Sequence, residues 1–153
     1  MREAVFNSLH SLGVVDGALV LDLFAGSGAL GVEALSRGAL HCTFVERARP
    51  ALEAIRANLA ATGLAGRATV VGADVVSWLA STRPAVDVAM ADPPYAFDGW
   101  SALLDAIDAE VVVLESDRAI ELGPAFGGAR SRRYGGTVVT LGRRTSPAEE
   151  SQS

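Results

Sequence analysis

Two short stretches hold the residues that could do chemistry. The first is "LDLFAGSGALGVEALSRGA", Leu21 to Ala39, in which Gly26, Gly28 and Gly31 fit a G-x-G-x-x-G turn between an apolar run and a helical pattern. Asp22 stands four residues before the first glycine. At the carboxyl end of a strand it faces the ligand crevice of an open α/β sheet, where it repels a pyrophosphate and attracts a cation. The glycines let a bulky ligand approach the backbone. The helix that follows offers N–H groups to a carboxylate. A ligand with both an α-ammonium and a carboxylate suits this pair. Glu46 ends the next strand, 20 residues after Gly26, and can accept hydrogen bonds from two ribose hydroxyls. An amino-acid end joined to a ribose describes S-adenosylmethionine. Asp74, in "GAD", ends a third strand. It can accept from an adenine amine or cap the helix that starts at Val75, and the two roles are compatible.

The second stretch is "ADPPY", Ala91 to Tyr95. The exocyclic amine of a base is a poor nucleophile, because its lone pair is delocalised into the ring. The Asp92 carboxylate and the Pro93 carbonyl can accept its two N–H bonds and favour a pyramidal nitrogen facing a sulfonium methyl. Pro93 and Pro94 stiffen the backbone that aims the carbonyl. Tyr95 can stack on the base, worth roughly 1–3 kcal/mol. Catalysis would be orientation and electrostatics, without a covalent intermediate. Trp78, His41 and Cys42 are expected to be structural; Trp100 and Glu115 are expected to be structural too, with a place bordering the cleft as the alternative for each. Arg130, Arg132, Arg133, Arg143 and Arg144 are expected on a solvated edge hairpin, with a phosphate-contacting rim as the alternative.

These residues need a frame that brings strand ends together. Val5, Leu9 and Leu12 predict a helix from Arg2 to Leu12. Strands are expected at "ALVLDLFA", "CTFVE", "ATVVGAD", "VDVAMADPP" and "EVVVLES". Helices are expected between them: "GALGVEALSR", a segment from Pro50 to near Gly63, Val75 to Ala80 and Ser101 to Ile107. "RSRRY-GG-TVVTL" predicts a hairpin over Gly135-Gly136. Alternating strands and helices imply a mostly parallel sheet of seven strands with helices on both faces and an antiparallel hairpin at the end. One domain, residues 1–145, is expected, followed by a polar, disordered tail at 146–153.

Composition excludes some classes. The chain has 153 residues, half of them hydrophobic, enough for one core. No apolar run reaches the roughly 18 residues of a membrane span, and the N-terminus lacks the apolar region of a signal peptide. Cys42 is the single cysteine, so an internal disulfide is impossible and a reducing cytoplasm is expected. No cluster has metal-ligand spacing. The net charge of −5 does not announce a nucleic-acid binder, and all 13 basic residues are Arg.

"LDLFAGSGALGVEALSRGA", "FVE" and "ADPPY" resemble the bacterial small-subunit rRNA guanine-N2 methyltransferases (RsmD-like). "MREAVFNSL" resembles that family's helix before the first strand, and "RYGGTVVTLGR" its closing hairpin, so the likeness spans about residues 1 to 143. The resemblance implies a Rossmann-like class I methyltransferase fold, S-adenosylmethionine as donor and a guanine N2 amine of 16S rRNA as acceptor. The partner would be small-subunit rRNA or the assembling small ribosomal subunit, with no membrane and a monomeric enzyme. Asp22, Gly26, Gly28, Glu46 and Asp74 would contact the donor; Asp92, Pro93 and Tyr95 would hold the target. Members usually carry a basic segment before the first helix, so RNA affinity is expected to be low without it, leaving a donor-binding fold with little RNA activity as one alternative. Adenine N6 methylation is another, although Ala96 to Glu110 is short for a DNA target-recognition insertion. A protein-glutamine methyltransferase would more often carry Asn in place of Asp92. A dinucleotide oxidoreductase is disfavoured by Asp22.

Overall fold

The computed structural model describes residues 1–145; the tail expected at 146–153 lies outside them. A seven-stranded sheet forms the middle layer, in the order β3-β2-β1-β4-β5-β7-β6. Its strands are β1 (Leu19–Leu23), β2 (His41–Glu46), β3 (Ala68–Gly72), β4 (Ala85–Ala91), β5 (Asp108–Ser116), β6 (Phe126–Tyr134) and β7 (Thr137–Arg144). The pairings β1–β2, β1–β4, β2–β3 and β4–β5 are parallel, and β7 is antiparallel to both β5 and β6. This is the class I methyltransferase architecture. The helices are α1 (Arg2–Ser11), α2 (Ala29–Ser36), α3 (Arg49–Thr62), α4 (Val75–Thr82) and α5 (Trp100–Ala106).

The central strands are apolar on both faces, as a covered parallel sheet requires. One face carries Val20, Phe44, Met90 and Val113 against Phe6 and Leu9 of α1, Leu35 of α2 and Ile55 of α3. The other carries Leu21, Leu23, Val112 and Leu114 against Leu79 of α4 and Leu103 of α5. Local signals set the helix limits. Pro50 lies in the first turn of α3, and Gly63 closes that helix in the left-handed conformation. Asp74 caps α4 by accepting from the Ser77 N–H at 3.0 Å.

The expected elements are present, with shifted limits. α1 ends at Ser11 and buries Phe6 besides Val5 and Leu9, while Leu12 is only partly covered. β6 starts at Phe126, four residues before the expected hairpin, because a bulge between Gly127 and Arg130 carries the pairing across two glycines. The hairpin turn is at Gly135-Gly136, with φ of +61° at the first glycine alone. Among the described residues no helix is long and apolar enough to cross a membrane.

Candidate active site

Sheet order reverses between β1 and β4, so the crevice of this fold opens beyond their carboxyl ends. A cleft of about 970 Å³ lies there. The register explains which side chains reach it. Asp22 is level with Phe44 of β2 and Met90 of β4, and Met90 is level with Val113 of β5. Side chains two residues apart share a face. One step beyond Phe44, Met90 and Val113 on that face come Glu46, Asp92 and Glu115. The sheet therefore delivers four carboxylates, Asp22 included, to one cleft from four adjacent strands.

Asp22 is 2% exposed, and its Oδ2 accepts the Gly31 N–H of α2 at 3.0 Å. It holds the first turn of α2 against the end of β1. Burial pushes its carboxyl up to about 8, opposed by the Gly31 bond and reinforced by Asp92 and Glu46. Gly31 itself is required by packing. A Cβ there would meet Phe44 Cζ at 2.7 Å and Cys42 Sγ at 2.8 Å. Gly26 has φ of +59° and lines the cleft, its N–H donating to Glu46 Oε1 at 3.0 Å. Gly28 starts α2 at φ of +82° and lies behind the cleft wall against Phe44 and Ile55 rather than lining it. Its place in the pattern comes from backbone conformation and helix packing.

Glu46 is more engaged than its sequence position suggested. Its Oε2 accepts from the N–H groups of Arg47 and Ala48 and pins the loop after β2, while its Oε1 holds the Gly26 turn after β1. A carboxylate has about four acceptor positions, and three are taken here, which leaves about one for a hydroxyl from the cleft side. Asp74 lies at the cleft's other end as the cap of α4. The Ser77 hydrogen bonds hold its carboxyl below the ordinary value.

The Asp92-Pro93-Pro94-Tyr95 turn leaves β4 along the cleft wall, and the Asp92 N–H still donates to Leu23 of β1. Asp92 stands open to the cleft, Pro93 is buried, and Tyr95 is 49% exposed. The Tyr95 hydroxyl lies 2.7 Å from Thr137 Oγ1, the first residue of β7. The turn closes with the Phe97 N–H donating to the Pro94 carbonyl at 2.8 Å.

Three further residues complete the site. Glu115, expected to be structural, lies in the cleft, 4% exposed and hydrogen-bonded to Asp92. Burial, then the Asp92 charge, raise its carboxyl to about 8, and Asp92 is raised as well. The signal was a lone acid at the carboxyl end of "VVVLES", level with the motif aspartate. Phe24 has φ of +56°, a strained setting for a bulky residue. Its ring meets Phe97 edge-on at 5.2 Å, and Phe97 meets Trp100 at 5.3 Å. These rings form an apolar wall beside the carboxylates. Neither Phe24 nor Phe97 follows a periodic pattern that would have revealed it.

Cys42, His41, Trp78 and Trp100 lie outside the cleft lining. Cys42 is buried beneath α2, His41 Nε2 lies 3.0 Å from Thr69 Oγ1, and Trp100 packs in the core at 7% exposure. Trp78 is partly buried against the same core. Arg144 pairs with Asp108 and Glu110. Among the described residues no group of three or more His, Cys, Asp or Glu could hold a metal ion.

The family described as Conserved hypothetical protein 95 matches residues 1–143. A Bacillus subtilis (strain 168) protein provisionally named the rRNA methyltransferase YlbH is 36% identical, across 92% of this chain and 83% of its own length. The Ribosomal RNA small subunit methyltransferase D of Escherichia coli (strain K12) is 44% identical over 95 residues, 62% of this chain and 46% of the relative. A solved Escherichia coli structure, provisionally described as the methyltransferase yhhF, superposes with a TM-score of 0.84 at 31% identity. It covers 95% of this chain and 84% of its own.

Proposed function

The chain belongs to the Conserved hypothetical protein 95 family, that of rRNA small subunit methyltransferase D, and on that premise we propose that it methylates the exocyclic N2 amine of a guanine in small-subunit 16S rRNA, using S-adenosylmethionine. The acceptor is the rRNA alone or in an assembling small subunit. One observation carries the reading: Asp22 and Asp92, on the two strands that flank the sheet reversal, open onto one cleft.

The cleft suits the donor. Asp22 meets an α-ammonium, and the first turn of α2, whose early N–H groups have no intrahelical partner, meets a carboxylate. Glu46 accepts from a ribose hydroxyl, and Asp74 with the apolar Val75 and Val76 borders an adenine. Bound there, S-adenosylmethionine supplies an electrophilic methyl on its sulfonium. The Asp92 carboxylate and the Pro93 carbonyl accept the two N–H bonds of the target amine and turn its lone pair toward the donor pocket. Tyr95 stacks on the base, its ring fixed by the Thr137 contact. As the N–C bond forms and the C–S bond breaks, the nitrogen loses a proton, which Asp92 accepts. Glu115, beside Asp92 at the end of the next strand, holds that carboxyl toward the amine. Phe24 and Phe97 keep water from the reacting atoms.

The test is methylation of undermodified 16S rRNA and small subunits with methyl-labelled donor, followed by digestion to nucleosides. N2-methylguanosine is expected. N6-methyladenosine as the product would assign the same clamp to adenine, and no incorporation into either substrate would overturn the reading.

A further inference from the structure

A second concavity, of about 740 Å³, runs between α1 and the β6–β7 hairpin. Arg130, Arg132 and Arg143 line it, with Tyr134 toward the hairpin turn and Ser8 and Leu12 on the helix side. No Asp or Glu is among its lining residues, although the chain as a whole carries −5. Among the described residues none of these three arginines has an ion-pair partner, whereas Arg144 is held by Asp108 and Glu110.

The register sorts the late arginines by face. Arg130 is level with Leu141 and Arg132 with Val139. Both partners pack on the α1 side of the sheet, and Arg143, two residues after Leu141, shares that side. Arg133, level with Val138, points to the other side. Arg130 and Arg132 are two strand residues apart, roughly 7 Å, a spacing comparable to that of successive phosphates along an RNA strand. Ser8 and Ser11 donate their hydroxyls to carbonyls of their own helix, so the opposite wall is small and uncharged.

The concavity also leads to the active site. α1 begins at the catalytic cleft, which Met1 and Arg2 line, and then runs along the second concavity. The hairpin turn, at the same end, touches the catalytic loop through Thr137 and Tyr95. We propose that the groove between α1 and the β6–β7 hairpin holds the phosphodiester backbone of the RNA whose target base enters the cleft, through Arg130, Arg132 and Arg143. This rests on the RNA methyltransferase reading. Edge protection alone, the common use of charge on an outer strand, accounts for neither the one-sided clustering nor the missing counter-charges.

The test compares the wild-type chain with the Arg130→Ala/Arg132→Ala/Arg143→Ala variant, binding fluorescein-labelled oligouridylate across a salt series. Affinity is expected to fall roughly 10- to 100-fold at low salt, and the slope of log affinity against log salt to flatten by about 2–3, near 0.7–0.9 per lost phosphate contact. Donor affinity by calorimetry stays unchanged, which shows an intact fold. Should the triple variant misfold, the single variants Arg132→Ala and Arg143→Ala are each expected to flatten the slope by about 1. Arg133→Ala, on the opposite face, is the control and leaves the slope within error. Equal slopes in all variants, an equal loss with Arg133→Ala, or aggregation as the variants' sole defect would overturn the groove. So would a salt-sensitive self-association lost in the variant without a change in RNA binding. The two readings fail separately. A groove-dependent affinity without N2-methylguanosine keeps the groove and removes the activity, and unimpaired rRNA methylation by the triple variant does the reverse.

Discussion

The hydroxyl of Tyr95 lies 2.7 Å from that of Thr137, so the loop carrying the Asp-Pro-Pro-Tyr motif is tied to the start of β7. The residues are 42 apart in sequence, and the contact gives an exposed aromatic ring one orientation over the cleft. Thr137→Val keeps the shape and removes the partner. It is expected to lower kcat/KM for RNA by about three- to tenfold, the weight of one hydrogen bond near 1 kcal/mol, with donor affinity unchanged. Tyr95→Phe should do the same, and the double variant should be no worse than either single. Steady-state kinetics of the three variants check this, and additive losses would show that the contact does not act as a unit.

Gly31 sits where α2 crosses β2. Gly31→Ala is expected to destabilise the fold by about 1–3 kcal/mol, the usual cost of overpacking, because its methyl would press on Phe44 and Cys42. Phe44→Leu in the same chain should recover part of that loss. Denaturant midpoints of the two variants measure it.

Asp22 links stability to pH. Its carboxyl titrates near 8 in the folded chain and near 3.8 in the unfolded one, owing first to burial. A carboxyl raised in this way binds its proton more tightly when folded. Its stabilising contribution is present at acid pH and is lost as the pH rises from about 4 to about 8. The stability of Asp22→Asn relative to the wild type is therefore expected to grow across that window. Donor should narrow the difference, since an ammonium favours the wild-type carboxylate. Thermal melts of both proteins between pH 5 and pH 8.5, with and without donor, test the sign; a difference independent of pH would refute the assignment.

Glu46 both shapes the loop after β2 and lines the cleft. Glu46→Ala is expected to weaken donor binding by about 1–3 kcal/mol, the range for losing an acceptor of charged hydrogen bonds. Calorimetric titration gives the value, and an unchanged dissociation constant would remove Glu46 from the site.

Much of this arrangement was legible in the chain. Alternating strands and helices, the Gly135-Gly136 turn and the acids at strand ends specify a doubly wound sheet with a closing hairpin, because these signals are local. Asp22, Gly26, Glu46, Asp74, Asp92, Pro93 and Tyr95 all line one cleft. What escaped depends on register. Glu115 can be structural or cleft-facing in the sequence, and only the pairing of β4 with β5, which brings Asp92 level with it, decides between the two. Phe24 is hidden by its left-handed backbone, which no propensity announces. The late arginines form one cluster in sequence but three groups in space: a groove, an opposite face and an ion-paired end.

The most direct measurement pairs single-turnover methyl transfer with donor titration for Asp92→Ala. Asp92 is assigned to the acceptor amine, so its loss falls on the transition state rather than on donor binding. Transfer to 16S rRNA is predicted to drop by about a hundredfold or more, with the donor dissociation constant within about tenfold of the wild type. Transfer at the wild-type rate in Asp92→Ala would contradict the account.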